Sequence, residues 1–162
     1  MIDIKIVTKL RYIIILTKKI YKNREKDMRV MILLAHGSRR KESALEIEAM
    51  AAELQMLAQK KGQFDAVKPA FMQFCGPDFY KVVDQLIQNS QSDKNQNLSG
   101  DAKQLKEVVV LPYFISAGSH VSDDIPEILV KAREKYPDIS FKVTPHMGKF
   151  QGLKQLIIEE TV

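Results

Sequence analysis

Three histidines supply all the imidazole in the chain, and each comes at or shortly after the end of an apolar run. The apolar runs and their histidines are 30–35 with His36, 108–111 with His120, and 139–144 with His146. Neutral imidazole binds divalent iron, cobalt, nickel, copper and zinc, and it can accept a proton near neutral pH. The three residues therefore suggest metal binding or proton transfer. The alternative is three surface or capping histidines that share no role.

Strand and helix patterns alternate between these histidines. β-Branched and aromatic runs predict strands over 29–35, 64–74, 108–111 and 139–144. Apolar spacings of three and four predict helices over 43–60, 79–88, from 122 or 123 to about 136, and 150–160. The polar stretch 89–103 is predicted to be a solvated loop or short insertion. The order βαβαβαβα predicts an α/β fold, with a four-stranded parallel sheet and right-handed helical crossovers.

The carboxyl edge of such a sheet is where open α/β folds bind their ligands. His36 and His120 would both lie at that edge. Gly37 and Gly118 lack a Cβ and could let a flat ligand approach the backbone. The residues that could hold carboxylates there, together with the helix N-termini, are Ser38, Arg39, Ser116 and Ser119.

The acidic pair Asp123–Asp124 lies at the start of the helix that follows His120. A helix cap that favours the dipole is the simplest interpretation. A role in guiding a metal toward the site is the lesser alternative. Arg40 is as well explained by a solvated helix start as by ligand binding.

The amino-acid composition limits the classes of protein to which the chain can belong. The chain has 162 residues, 45% hydrophobic and 28% charged, which suits one soluble globular domain. The single cysteine, Cys75, excludes an internal disulfide and a metal site built from several cysteines of one chain. We therefore expect a reducing, cytoplasmic location, and we expect Cys75 to be a structural thiol rather than a nucleophile.

The net charge of +5 belongs to residues 1–28, where eight Lys or Arg face three acids. The rest of the chain therefore sums to zero, which argues against nucleic-acid binding. Residues 1–28 are interpreted as a basic extension ahead of a single domain, 29–162. A start codon assigned too early would explain them, and an amphipathic helix touching a membrane is the less favoured alternative.

Several nucleotide and hydrolase motifs do not occur in the sequence. It contains neither Gly-x-x-x-x-Gly-Lys-Ser/Thr nor Gly-x-Gly-x-x-Gly, so we expect no nucleotide cofactor. It also contains no Gly-x-Ser-x-Gly elbow, which disfavours an α/β-hydrolase.

Three segments together resemble the small sirohydrochlorin chelatases of cobalamin and sirohaem biosynthesis. They are Leu-Leu-Ala-His36-Gly-Ser-Arg, Pro69-Ala-Phe-Met-Gln, and Val-Leu-Pro-Tyr-Phe-Ile-Ser-Ala-Gly118-Ser-His120-Val-Ser-Asp-Asp-Ile-Pro126. The resemblance covers about residues 28–160. Its most specific part is the string Gly-x-His-x-x-x-Asp-Ile-Pro.

The resemblance implies a flavodoxin-like, chelatase-like three-layer sandwich and ATP-independent insertion of a divalent metal into sirohydrochlorin, a lyase reaction. The metal would be Co²⁺ or Fe²⁺, with Ni²⁺ a further candidate. His36 and His120 would bind the metal and help remove pyrrole protons. Short chains of this kind look like half of the two-lobed chelatases and pair as homodimers.

The sequence also departs from the family pattern. Gln73 stands at a position that is commonly acidic in such chelatases, and His146 precedes the place where the family often has a histidine. Both residues are therefore accessory candidates. A non-catalytic metal or tetrapyrrole carrier using the same histidines is the main alternative. A receiver-like or nucleotide-binding module ranks third.

Overall fold

The computed structural model describes residues 27–96 and 103–161. The strands are β1 (Asp27–Ala35), β2 (Ala66–Phe71), β3 (Gln104–Pro112) and β4 (Ser140–Val143). The α-helices are α1 (Lys41–Lys60), α2 (Phe79–Gln96), α3 (Ile125–Lys135) and α4 (Gln151–Glu160). A π-helical turn, His120–Asp124, precedes α3, and a 3₁₀ turn, Met147–Lys149, precedes α4. The extension inferred for residues 1–28 lies outside the described residues, except for its last two.

The four strands form one parallel sheet in the order β2-β1-β3-β4. The predicted α/β fold with a four-stranded parallel sheet is thereby confirmed. β1 lies between β2 and β3, and its Leu34 pairs with Ala70 on one side and Pro112 on the other. Because the strands are parallel and in this register, the chain leaves β1 and β3 at the same level of the same edge. That edge positions the loops carrying His36 and His120.

Helices cover both faces of the sheet. Val30, Ile32 and Leu34 of β1 point into a core completed by α2 and α3. The intervening Leu33 points to the opposite face, where it packs with Ala51 and Ala58 of α1. This alternation follows from the two-residue period of a strand, and it produces the predicted three layers.

Helix α2 is longer than the sequence predicts. We expected a solvated loop over residues 89–103, but α2 continues to Gln96 and β3 begins at Gln104. Residue Ser90 is buried in α2, with its hydroxyl donating to the carbonyl of Ile87 at 2.7 Å. An apolar face that is already packed can carry a helix into a polar stretch, because intrinsic propensity is a weak force.

Helix α4 forms where the sequence predicts it, but it contributes no buried residue. Leu156 and Ile157, which share its apolar side, are 50% and 52% exposed. The apolar pattern of α4 is therefore a surface feature of this chain. None of the described helices is long and apolar enough to cross a membrane.

Candidate active site

His36 and His120 lie side by side at the carboxyl edge of the sheet. Their ring centroids are 4.4 Å apart, and the ring planes are tilted by 41°. A metal ion bound about 2.1 Å from one nitrogen of each ring would put the centroids about 4.5–5.5 Å apart. The two imidazoles are thus close enough to share one ion.

His120 occupies the first position of the π-helical turn, and Asp124 occupies the last. The wider turn is closed by the N–H of Ile125, which donates to the carbonyl of His120. Nδ1 of His120 lies 2.6 Å from Oδ2 of Asp124. A carboxylate can accept but not donate a hydrogen bond, so the ring donates.

This contact corrects the interpretation of Asp124 as a helix cap. Asp124 does stand at the N-cap position of α3, but its side chain makes no capping hydrogen bond. Its carboxylate is directed at His120 instead. Isolated π-turns occur often at functional sites, and this one brings an acid four residues away onto the histidine.

The imidazole ring of His36 is held by packing rather than by a side-chain hydrogen bond to the described residues. Its Nδ1 is buried and has no hydrogen-bond partner within residues 27–96 and 103–161. Phe74 meets the His36 ring edge-on, with centroids 5.6 Å apart. A buried polar atom without a partner is costly and is often explained by function.

Phe74 is a site residue that the sequence gives no reason to select. Its φ of 66° lies in the left-handed region, which a bulky side chain rarely adopts. The side chain is 54% exposed, and the guanidinium carbon of Arg39 lies 5.2 Å from its ring centroid. An exposed aromatic ring, an arginine and His36 therefore form one continuous surface.

The two glycines beside the histidines differ in their surroundings. Gly37 has a φ of 93°, and a Cβ on it would lie 2.0 Å from the carbonyl oxygen of Gln73. Close packing of two backbone segments therefore accounts for Gly37, and the ligand approach that we expected there stays a prediction. A Cβ on Gly118 would meet nothing within 4 Å, so Gly118 leaves open space for a ligand.

The serines predicted to hold carboxylates lie on the same two loops. The hydroxyl of Ser38 accepts the N–H of Arg40 at 3.1 Å, so a local turn already occupies one of its lone pairs. Ser116 and Ser119 are exposed on the His120 loop.

The accessory candidates are placed differently from each other. His146 is 7% exposed, and its Nδ1 donates to the carbonyl of Phe114 at 3.3 Å. That bond joins the loop after β4 to the loop after β3. Gln73 is exposed next to Phe74, and its backbone N–H donates to the carbonyl of His36 at 2.9 Å.

Gly148 is a further residue that the sequence does not single out. A Cβ on it would lie 1.7 Å from the carbonyl oxygen of Ile115. Its N–H donates to the Phe114 carbonyl at 3.2 Å. Gly148 and His146 therefore both support the loop that leads to His120.

No group of three or more His, Cys, Asp or Glu suited to holding a metal occurs in the described part of the chain. An ion bound by two imidazoles alone would keep open coordination positions, as in catalytic rather than structural sites.

A separate cavity of about 850 Å³ lies at the amino edge of the sheet, beside Arg29, Phe64 and Lys142. Its charges largely pair with one another: Glu107 accepts from Arg29 at 2.7 Å and from Lys142 at 3.0 Å. The candidate chemistry lies at the opposite edge.

Comparison with known proteins gives the family and the fold of the chain. Residues 30–161 match the CbiX family model. The chain belongs to the CbiX family. A curated relative, the chloroplastic sirohydrochlorin ferrochelatase of Arabidopsis thaliana, is 30% identical over 136 residues, which are 84% of this chain and 52% of that protein. The sirohydrochlorin cobaltochelatase of Methanococcus aeolicus is 26% identical over 63% of this chain and 59% of its own length. The chain thus spans little more than half the length of these CbiX relatives.

Solved structures share the CbiX fold. A CbiX protein from Marinobacter aquaeolei is similar with a TM-score of 0.53 and 22% identity, over 82% of this chain and 93% of that one. SirB from Bacillus subtilis, solved with Fe³⁺, is similar with a TM-score of 0.53 and 19% identity, over 82% of this chain and 45% of that one. At these identities the likeness concerns the fold.

Proposed function

We propose that this CbiX-family chain is a sirohydrochlorin chelatase, which exchanges two pyrrole protons of the macrocycle for one divalent metal ion without a nucleotide. The observation that carries the proposal is the pair of imidazoles, His36 and His120, 4.4 Å apart at the carboxyl edge of the sheet. Two of the curated relatives described above are named as sirohydrochlorin ferrochelatase and cobaltochelatase.

In this mechanism the macrocycle lies over the His36 and His120 loops. The open space at Gly118 lets the ring approach the backbone, and the exposed ring of Phe74 provides an apolar contact. Arg39, Ser38, Ser116 and Ser119 bind peripheral carboxylates. Gln73, at the rim, contributes a neutral amide where an acid would add charge.

The imidazoles have two tasks. They would hold Co²⁺ or Fe²⁺ (Ni²⁺ is a further candidate) with open coordination positions that pyrrole nitrogens can fill. As the ion passes to the pyrrole nitrogens, each imidazole nitrogen would be released from the metal and would then accept one of the two pyrrole protons. Proton transfer to a positioned base is typically worth about two to four orders of magnitude in rate.

We also propose that two copies pair, with the substrate cleft between them. The chain covers 45% of the Bacillus SirB chain. It also exposes three large apolar side chains on the His120 loop and in α4 with the residue that precedes it, namely Ile115, Phe150 and Ile157, at 66%, 39% and 52%. Pairing would cover such side chains, and sedimentation analysis would measure the pairing. A cytoplasmic location stays a prediction.

An absorbance assay tests the activity. Sirohydrochlorin is mixed with Co²⁺, Fe²⁺ or Ni²⁺ in turn, with and without the purified chain, and metallation is followed beside the uncatalysed rate. Many turnovers per chain are expected with at least one metal. A signal that saturates at one equivalent would instead identify a carrier, and no acceleration with any of the three would refute the proposal.

A further inference from the structure

Asp124 is in contact with the nitrogen of His120 that faces its own helix. The separation of 2.6 Å between Nδ1 and Oδ2 is short for a nitrogen–oxygen hydrogen bond, as expected when the acceptor is charged. The two side chains are 31% and 44% exposed, so the pair lies at the surface of the site rather than in the core.

Neutral imidazole carries one proton, and the nitrogen without it supplies the lone pair that binds a metal. A proton held on Nδ1 by the carboxylate leaves Nε2 as the metal-binding atom. We propose that Asp124 is a positioning residue for the chelatase site, which fixes the Nδ1–H tautomer and the ring orientation of His120 so that Nε2 faces the metal. This role rests on the proposed function.

The neighbouring acid provides a matched comparison. Asp123 carries the same charge in the same turn. Its side chain makes no hydrogen bond or ion pair among residues 27–96 and 103–161. A role through helix-dipole charge alone would be shared by Asp123 and Asp124. A role through the tautomer of His120 would be specific to Asp124, which contacts the ring.

The histidines allow a spectroscopic test, because the chain has three of them. The full chain labelled with ¹⁵N-histidine is studied by long-range ¹H–¹⁵N correlation at about pH 8.5, where free imidazole is neutral. His146 is an internal reference for the Nδ1–H tautomer, since its Nδ1 donates to a carbonyl. We expect His120 of the wild type to match that reference.

The variant Asp124→Asn keeps the shape but removes the charge that holds the Nδ1 proton, and its amide can either accept from Nδ1–H or donate to Nδ1. We expect His120 to shift toward Nε2–H, and Co²⁺ affinity and the insertion rate each to fall about 10–100-fold, as for other partners of metal-binding histidines. Asp123→Asn should keep the wild-type spectrum, with affinity and rate within about twofold.

Two results would overturn the inference: an Nε2–H tautomer in the wild type, or equal losses of Co²⁺ affinity and insertion rate in the two variants. The tautomer of the wild type is read from its own spectrum even if Asp124→Asn fails to fold. In that case Asp124→Ser is used in place of Asp124→Asn. The histidine spectrum and the Co²⁺ affinity are both measured without sirohydrochlorin. Failure of the wild type to metallate sirohydrochlorin would therefore refute the activity separately.

Discussion

The loops that carry His36 and His120 start from neighbouring parallel strands but hold their imidazoles in different ways. His120 has a charged partner, since Asp124 accepts its Nδ1–H at 2.6 Å. His36 has an aromatic neighbour, Phe74, and an Nδ1 without a partner within the described residues. One ring is oriented by a hydrogen bond at an open turn, and the other by a tightly packed backbone.

Two histidines at similar sequence positions can therefore be held in place by different kinds of contact. The His36 loop is fixed through Gly37, because the carbonyl of Gln73, from a distant segment, occupies the space that a Cβ would need. The His120 loop is fixed by its own π-turn and by the N–H of Gly148 on the Phe114 carbonyl. We therefore expect a substitution at Gly37 to affect folding first, and one at Gly118 to affect the reaction first.

Replacing the histidines should have the largest effect. His120→Ala and His36→Ala should each lower the insertion rate about 10²–10⁴-fold, because each removes a proposed metal ligand and a proposed proton acceptor. Initial rates of sirohydrochlorin metallation measure this, and circular dichroism checks that both variants remain folded. If the rings act as one unit, the double variant should be little worse than either single one. Multiplicative losses would show that the two act independently.

Substituting Gly37 and Gly118 tests the difference between the two loops by its effect on stability. Gly37→Ala should lower the free energy of unfolding by roughly 2–4 kcal/mol, because the methyl group would clash with the Gln73 carbonyl at an unfavourable φ. Gly118→Ala should stay within about 0.5 kcal/mol of the wild type, since its surroundings are open. Urea unfolding of both variants gives the two values.

The same two glycine variants distinguish an effect on folding from an effect on substrate binding. Gly118→Ala should raise the KM for sirohydrochlorin, because its methyl group would occupy the space proposed for the ring. An unchanged KM would remove Gly118 from the proposed substrate contacts. Equal losses of stability in the two variants would contradict the difference between the loops.

Phe74 tests whether the aromatic side of the His36 loop contacts substrate. Phe74→Ala and Phe74→Gly both remove the ring, and both should raise KM roughly tenfold while kcat changes little. Phe74→Gly should be about 1 kcal/mol more stable than Phe74→Ala, because glycine adopts the positive φ without strain. An unchanged KM in both would restrict Phe74 to packing against His36.

The sequence predicts the parallel sheet and the approximate places of both histidines, because strand and helix periodicities are local signals. It does not predict that the Gln73 carbonyl fills the space beside Gly37, since these segments meet only in the folded chain. Nor does it predict the contact of Asp124 with His120. That contact depends on a π-turn, whereas an acid at a helix start is ordinarily interpreted as a cap.

A change far from both loops should have the smallest effect. Tyr136, which follows α3, donates from its hydroxyl to Oδ1 of Asp84 in α2 at 2.8 Å. This hydrogen bond, assisted by Lys135, holds the pKa of Asp84 below its ordinary value. Because the folded-state pKa is the lower one, the stabilisation is present above the ordinary aspartate pKa and is lost as pH falls through the folded-state value.

Tyr136→Phe should therefore cost about 1 kcal/mol of unfolding free energy at neutral pH, and less as the solution becomes acidic. Urea unfolding at several pH values measures this trend. Its insertion rate should stay within about twofold of the wild type, because α3 meets the site at its opposite end. A large loss of rate without loss of fold would show that the His120 turn depends on the whole of α3, and the contrast between the two loops would then reflect helix position rather than local support.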